Sequence, residues 1–343
     1  MTSFRLGTFS IAGCEPFPGM VLAEHVYAVH ALEELCADAG HVLKGTGSVL
    51  GLMEFWDSNF PLLRELAYRL SSAEADSLAR GVLSRGTPLS QLRIHAPLQP
   101  RQIFQAGANY HKHVVDLIVD GAVARDPCAD REKIRVNAAE MMHKRALSGK
   151  PFVFMGLWSS VIGPYDPIVL PYDVEQPDWE LELAAVIGRP ARRVSRDRAL
   201  EYVAGYTIAN DITSRELVAR PDVPQMGMDW ISSKGTPTFL PIGPFITPSV
   251  FAGEPQALQL NLRLNGQTMQ DESTADMIFS VARLIEFISM HARLLPGDLV
   301  LTGSPSGNGT HYNRYLRAGD LLEGEISGLG ALRNPCIAEP QPE

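Results

Sequence analysis

Long hydrophobic runs are missing from these 343 residues. No stretch approaches the roughly eighteen apolar residues that would read as a membrane helix, so no membrane partner is expected. Cysteine is scarce. The four residues Cys14, Cys36, Cys128 and Cys336 lie far apart, with no Cys-x-x-Cys pair. That argues against a zinc site and suits a reduced, cytoplasmic protein. Positive charge is in deficit: 30 Lys and Arg stand against 39 Asp and Glu, a formal net charge of −9 with no long basic run. An acidic chain does not attract phosphate backbones, so nucleic acid is not an expected partner. The first residues lack a basic segment followed by an apolar run, and no signal peptide is expected. What is present is a 45% hydrophobic composition with 29 glycines and 25 prolines. The length allows one sizeable core plus a smaller domain.

The chemistry gathers around Trp179-Glu180-Leu181-Glu182-Leu183. Glu180 to Ile187 alternates and then turns wholly apolar, which predicts a strand. Side chains alternate along a strand, so Glu180 and Glu182 share a face. Two carboxylates side by side on a half-buried strand are costly unless a cation sits between them. Asp211 ends another apolar strand, Tyr206-Thr-Ile-Ala-Asn-Asp. Three carboxylates with no cysteine cluster suit a hard ion: Mg²⁺ first, then Mn²⁺ or Ca²⁺. Glu-x-Glu alone is a common pattern and more often marks two glutamates facing solvent on an edge strand.

Along the chain, residues 1–96 read as a small α+β domain. It has strands at Phe4 to Ile11 and Gly19 to Leu22, a helix over Glu24 to Ala39, and a capping box at Ser71-Ser-Ala-Glu74. Thr87 to Pro100 reads as a linker. Gln102 to Ala108 is a strand leading into Tyr110 and His113. His113 and Asp116 are three apart and share a helix face, where the carboxylate can orient the imidazole and raise its basicity. His111 suits an exposed surface residue. Residues 117–150 form a long charged insertion, either a solvated helical segment or a lid hung from His113. Ser195 to Ala204 reads as a capped helix. Arg215 suits either an ion pair with Asp211 or a substrate carboxylate. Leu258 to Leu264 is a strand, Asn265-Gly266 a hairpin turn, and Thr274 to Ser289 a helix. Thr302-Gly303-Ser304-Pro305 offers a hydroxyl and backbone N–H groups suited to a carboxylate. A last strand pair ends near Pro335, with residues 337–343 as a tail.

From about Pro97 to Pro335 the sequence resembles the fumarylacetoacetate hydrolase family. The motifs that carry the resemblance fall in the family's order: Gly107-Ala-Asn-Tyr-His-Lys-His113, Glu180-Leu-Glu182, Ala204 to Arg215 with Asp211 inside it, Lys234 followed by Pro241-Ile-Gly-Pro244, and Leu295-Pro-Gly-Asp298 running into Thr302-Gly-Ser-Pro305. The resemblance implies a mixed β-roll, mainly β with some α, over residues 97–336, and makes 1–96 a variable N-terminal domain. It implies His113 as the base with Asp116 in place of the family's glutamate. It implies Lys234 as an active-site lysine stabilising an enolate, and Glu180, Glu182 and Asp211 as metal ligands. Thr302, Arg215 and Tyr110 would meet a small 2-oxo acid. The activity implied is C–C bond hydrolysis of an acylpyruvate or fumarylpyruvate type of compound, as in aromatic catabolism. Relatives also decarboxylate, isomerise or hydrate similar acids, and a purely metal- or ligand-binding protein is a remote alternative. Relatives are commonly homodimers, and the same is expected here.

Overall fold

The computed structural model describes residues 2–72 and 76–341. Strands β1 (Arg5–Ser10), β2 (Phe17–Leu22) and β3 (His25–Ala28) precede helices α1 (Val29–Asp38) and α2 (Trp56–Ser71). Next come β4 (Ile103–Gly107), α3 (His111–Arg125), α4 (Arg131–Ser148) and β5 (Phe152–Gly156). They are followed by β6 (Leu181–Ile187), β7 (Val203–Asn210), α5 (Trp230–Lys234) and β8 (Leu240–Pro248). The chain closes with β9 (Gln259–Leu264), β10 (Gln267–Ser273), α6 (Val281–His291), β11 (Leu299–Leu301), β12 (Leu321–Ile326) and β13 (Gly330–Ala338). This is the α+β, mixed-sheet architecture expected from the sequence.

Among the described residues a 12-stranded sheet runs β3-β2-β1-β8-β7-β6-β11-β4-β5, with three two-residue strands at its margins. A 5-stranded sheet runs β10-β9-β12-β13 and ends on Ile168–Leu170. β6 sits in the middle of the large sheet and every residue in it is buried. Its odd positions Leu181, Leu183, Ala185 and Ile187 join a core that includes Leu260, Leu262, Leu322 and Leu332 of the small sheet. Its even positions Ala184 and Val186 join a second core built from Leu32, Leu35, Trp56 and Leu63 of α1 and α2. Period-two alternation thus becomes two cores, one on each face.

The N-terminal residues do not stand apart. β1 pairs with β8 at Leu6 and Ile246, and Phe4, Leu6 and Met20 share the second core with Ile242, Leu299 and Leu301. The stretch expected as one helix from Glu24 divides: His25–Ala28 pairs with β2, and α1 starts only at Val29. Of the Ser71–Glu74 capping box, Ala73 and Glu74 lie outside the described residues; the next described helix, Ser77–Leu83, is capped by Asp76. The helix expected from Thr274 starts at Val281, where Ser280 accepts from the Arg283 N–H; β10 and a short 3₁₀ turn occupy the residues before it. Arg196–Tyr202 is a 3₁₀ helix with no side-chain cap. β13 runs to Ala338, two residues into the expected tail.

Asn265 and Gly266 both take positive φ and turn β9 into β10, as the Asn-Gly pair predicts. The insertion after His113 is a pair of helices, α3 and α4, sharing a small core of Val115, Val119, Ala138 and Met142.

A candidate metal centre and its cleft

Sheet topology brings the functional residues to one end of the large sheet. β6 and β7 are antiparallel, with Leu181 opposite Asn210, so the start of one lies beside the end of the other. The Asp211 N–H donates to the Glu180 carbonyl at 2.9 Å. β11 is antiparallel to β6 and parallel to β4, so Thr302-Gly303 and the entry to α3 emerge at this same end. The helix α5 enters β8 from here as well.

Glu180, Glu182 and Asp211 converge as the alternation predicted. All three are buried, and each offers a carboxylate oxygen within 4.8 Å of the others. The solvent-facing edge-strand alternative is excluded, because β6 is central. Glu180 takes Arg215 Nη2 on Oε1 at 2.7 Å and Lys234 Nζ on Oε2 at 2.8 Å. Burial opposes its charge, but Lys234 and Arg215 outweigh burial and bring its pKa to about 2. Glu182 accepts from the Gly303 N–H at 2.7 Å. Burial, then the charges of Asp211 and Glu180, push its pKa well above the usual carboxylate range. Burial likewise lifts Asp211 to about 6, even though Lys234 lies 2.5 Å from its Oδ2.

A fourth acid belongs to the cluster. Asp178 is fully buried and binds Arg215 Nε at 2.7 Å, Thr310 Oγ1 at 2.9 Å and the Gly309 N–H at 2.5 Å. It lies on the separate two-residue strand Pro177–Asp178, and its spacing of two residues from Glu180 was the sequence signal for it. The buried cluster therefore holds four carboxylates, Asp178, Glu180, Glu182 and Asp211, against two cations, Arg215 and Lys234. The two uncompensated negative charges, and an oxygen-only donor set, fit a divalent hard cation. A raised carboxylate pKa is the expected counterpart when no ion is bound.

Three expected roles change. Lys234 Nζ bonds Glu180, Asp211 and Thr213 Oγ1 at 2.8, 2.5 and 2.6 Å. Its three protons point at protein acceptors, so it compensates and positions the acids. Asp116 does not orient His113. Its Oδ1 accepts from Arg135 Nη1 and its Oδ2 from Ser306 Oγ, both at 2.8 Å. Helix spacing put the two residues on one face, but the neighbouring α4 and the 302–309 loop supply the carboxylate's partners. Thr302 Oγ1 donates to the Leu183 carbonyl at 2.9 Å, so its proton is not offered to a carboxylate.

Arg215 does make an ion pair, with Asp178 and Glu180 in place of Asp211. Tyr110 is fully buried at the entry to α3, and its hydroxyl has no partner among the described residues. His111 is half-buried, its Nε2 3.3 Å from the Ala139 carbonyl. His113 is buried and lines a cleft of about 450 Å³ together with Arg215. Burial pushes its pKa down to about 4, against the opposing pull of Glu180, so the ring is neutral at pH 7. No helix is long and apolar enough to cross a membrane among the described residues.

Known proteins share sequence and fold with this chain. A family profile described as fumarylacetoacetate (FAA) hydrolase C-terminal matches residues 102–337. The 2,4-didehydro-3-deoxy-L-rhamnonate hydrolase of Sphingomonas sp. (strain SKA58) is 43% identical over 187 residues, which are 54% of this chain and 64% of that protein, just under two thirds of its length. The mitochondrial oxaloacetate tautomerase Fahd2a of Rattus norvegicus is 31% identical over 267 residues, 76% of this chain and 75% of that protein. Among solved structures, the fumarylacetoacetate hydrolase from psychrophilic Exiguobacterium antarcticum superposes with a TM-score of 0.71 and 26% identity, covering 98% of this chain and 100% of that one.

Proposed function

The chain belongs to the fumarylacetoacetate hydrolase family, and from that premise we propose that it is a divalent-metal-dependent hydrolase cleaving a C–C bond in a small 1,3-diketo acid of the acylpyruvate type. The observation that carries this is the convergence of Glu180, Glu182 and Asp211 beside a cleft lined by the neutral, buried His113. The three carboxylates would hold the ion, Mg²⁺ being the first expectation, which supplies Lewis-acid polarisation of the 2-oxo acid oxygens.

The residues of the chain do the rest. His113 makes no hydrogen bond among the described residues and lines the cleft, so a ring nitrogen is free to take a proton from a water there. The resulting hydroxide adds to the distal carbonyl carbon. The C–C bond then breaks, its electron pair passing into the enolate of the 2-oxo acid half. The imidazolium returns the proton to that carbon, leaving two acids. Lys234 and Arg215 keep Glu180 ionised, and their ion pairs fix the direction of Glu180 and Asp211.

Tautomerisation of a 2-oxo acid is a second activity, favoured by the likeness to a protein named an oxaloacetate tautomerase. It uses His113 to move a proton between carbon and oxygen and needs no attacking water. Incubation of the metal-supplemented protein with acylpyruvates, oxaloacetate and hydroxymuconates, with mass detection, separates the activities. Hydrolysis adds the mass of water across two product acids, tautomerisation conserves mass, and decarboxylation releases CO₂. Two acids from an acylpyruvate are expected; mass-conserving turnover alone would contradict hydrolysis.

A further inference from the structure

Three aromatic side chains beside the metal centre have no part in the chemistry proposed above. Phe152 and Phe154 belong to β5, the strand that ends the large sheet, where Phe154 stands opposite Gln105 of β4. Trp230 opens α5 and Lys234 closes it. Four residues apart on a helix, Trp230 and Lys234 share a face. The Trp230 indole stacks on the Phe154 ring, with centroids 4.1 Å apart and planes 9° from parallel. Phe152 tilts against both, 6.1 Å from Phe154 and 5.9 Å from Trp230. Gly107 makes room for the cluster, since a Cβ there would come within 2.9 Å of the Phe152 ring. The stack thus ties the edge of the sheet to the helix that carries Lys234.

The Lys234 ammonium lies over the Phe154 ring, 5.7 Å from its centroid. That is inside the roughly 6 Å range of a cation–π contact. Among the described residues it lies over no other ring. The Lys234 side chain is 5% exposed. Its three protons are directed at Glu180, Asp211 and Thr213, and the ring competes for none of them. It attracts the charge as a whole and occupies space beside the ammonium that water would otherwise take. A carboxylate left free to rotate must be ordered when an ion binds, at a cost in side-chain entropy. A carboxylate already aimed by a fixed partner avoids that cost.

We infer that Phe154 and Trp230 are positioning residues for the metal centre. Trp230 fixes Phe154, Phe154 seats the Lys234 ammonium, and Lys234 aims the carboxylates of Glu180 and Asp211 at the ion. This rests on the ion seat proposed above and is independent of which reaction the site performs.

The test is calorimetric titration of Mg²⁺ or Mn²⁺ into the full chain and into Phe154→Leu, Phe154→Tyr, Trp230→Leu and Phe152→Leu, with the thermal transition of each recorded. Phe154→Leu keeps an apolar side chain and removes the ring. Its ion affinity should fall by roughly three- to thirty-fold, the strength of one desolvated cation–π contact. Phe154→Tyr keeps the ring and should bind within about twofold of the parent. Trp230→Leu should weaken ion binding in the same direction while leaving β5 unaltered, and it decides the question if Phe154→Leu loses its cooperative transition. Phe152→Leu is the control. It removes a ring from the same cluster that does not lie over Lys234, so it should lower Tm and leave ion affinity nearly unchanged. Equal losses of affinity in Phe152→Leu and Phe154→Leu would reduce the effect to general packing and overturn the inference. Parent-like affinity in Phe154→Leu and Trp230→Leu would overturn it as well, with the ion seat left standing. No ion binding by the parent contradicts the ion seat and this inference together.

Discussion

At the scale of single residues, parity along a strand was the most informative signal. Positions 180 and 182 face one way, and the structure puts Asp211 with them. The same two-residue spacing reaches back to Asp178, whose carboxylate turned out to anchor Arg215. What parity and helix spacing could not give is where a side chain spends its hydrogen bonds. Asp116 lies one helical turn from His113, yet Arg135 and Ser306, 19 and 190 residues away, claim both of its oxygens. Lys234 is similar: its position was legible, but its full set of acceptors depends on β6, β7 and the residues after them.

Two outcomes follow at this scale. His113→Ala should lower turnover by roughly 10² to 10⁴-fold, the usual contribution of a positioned base. Divalent-ion affinity, followed by titration calorimetry, should stay close to that of the parent, because His113 holds no ion. Loss of ion binding in this variant would make His113 a ligand. The second outcome concerns pH. Asp211 is raised to about 6 and Glu182 is raised well above the usual range, so in the ion-free site protons occupy positions an ion must take. Ion affinity should therefore weaken as pH falls through 6 and strengthen as it rises, with protons released on binding. Affinity that is flat from pH 5 to 8 would contradict this.

At the scale of elements, the central strands were legible because β6 and β7 are apolar almost throughout and β9 meets β10 at Asn-Gly. Helix starts were less so. Val26 and Val29 keep helical spacing with Leu32, but Val26 faces Val21 across β2 and β3, and strand pairing prevailed over the periodicity. The insertion at 117–150 is helical as its pattern suggested. Its small core of Val115, Val119, Ala138 and Met142 is far smaller than either main core; Arg135 and Asp116 tie α4 to α3, and Arg145 reaches the body through a single side-chain bond to the Ala108 carbonyl. Such a unit opens at lower free energy than the sheet. Limited proteolysis should cut within 117–150 first, and metal plus a 2-oxo acid should slow that cleavage. Equal rates with and without ligand would identify a static surface hairpin.

At the scale of the whole molecule, composition gave the right class but suggested more independence for the N-terminal part than the structure has. Nothing in a one-dimensional pattern reveals that Leu32, Leu35 and Trp56 cover the even face of β6. The consequence is testable: a fragment of residues 97–343 made alone would expose Ala184, Val186, Ile242, Leu299 and Leu301. Each fully buried aliphatic side chain contributes about 1.5–3 kcal/mol, which is large against a net stability of roughly 5–15 kcal/mol. The fragment should lose its cooperative thermal transition, and a sharp transition near that of the full chain would contradict the shared core.

The central claim is that four buried carboxylates and two cations make a seat for one divalent ion. Glu182→Gln keeps the shape of the side chain and removes one negative charge at the ligand that no basic side chain hydrogen-bonds. Calorimetric titration of Mg²⁺ or Mn²⁺ into the full chain, beside the same titration of Glu182→Gln, is the most direct measurement. One ion per chain in the parent, with affinity reduced by at least about tenfold in the variant, a loss of about 1.4 kcal/mol, is the predicted result. Equal binding by both proteins, or none by the parent at neutral pH, would contradict it.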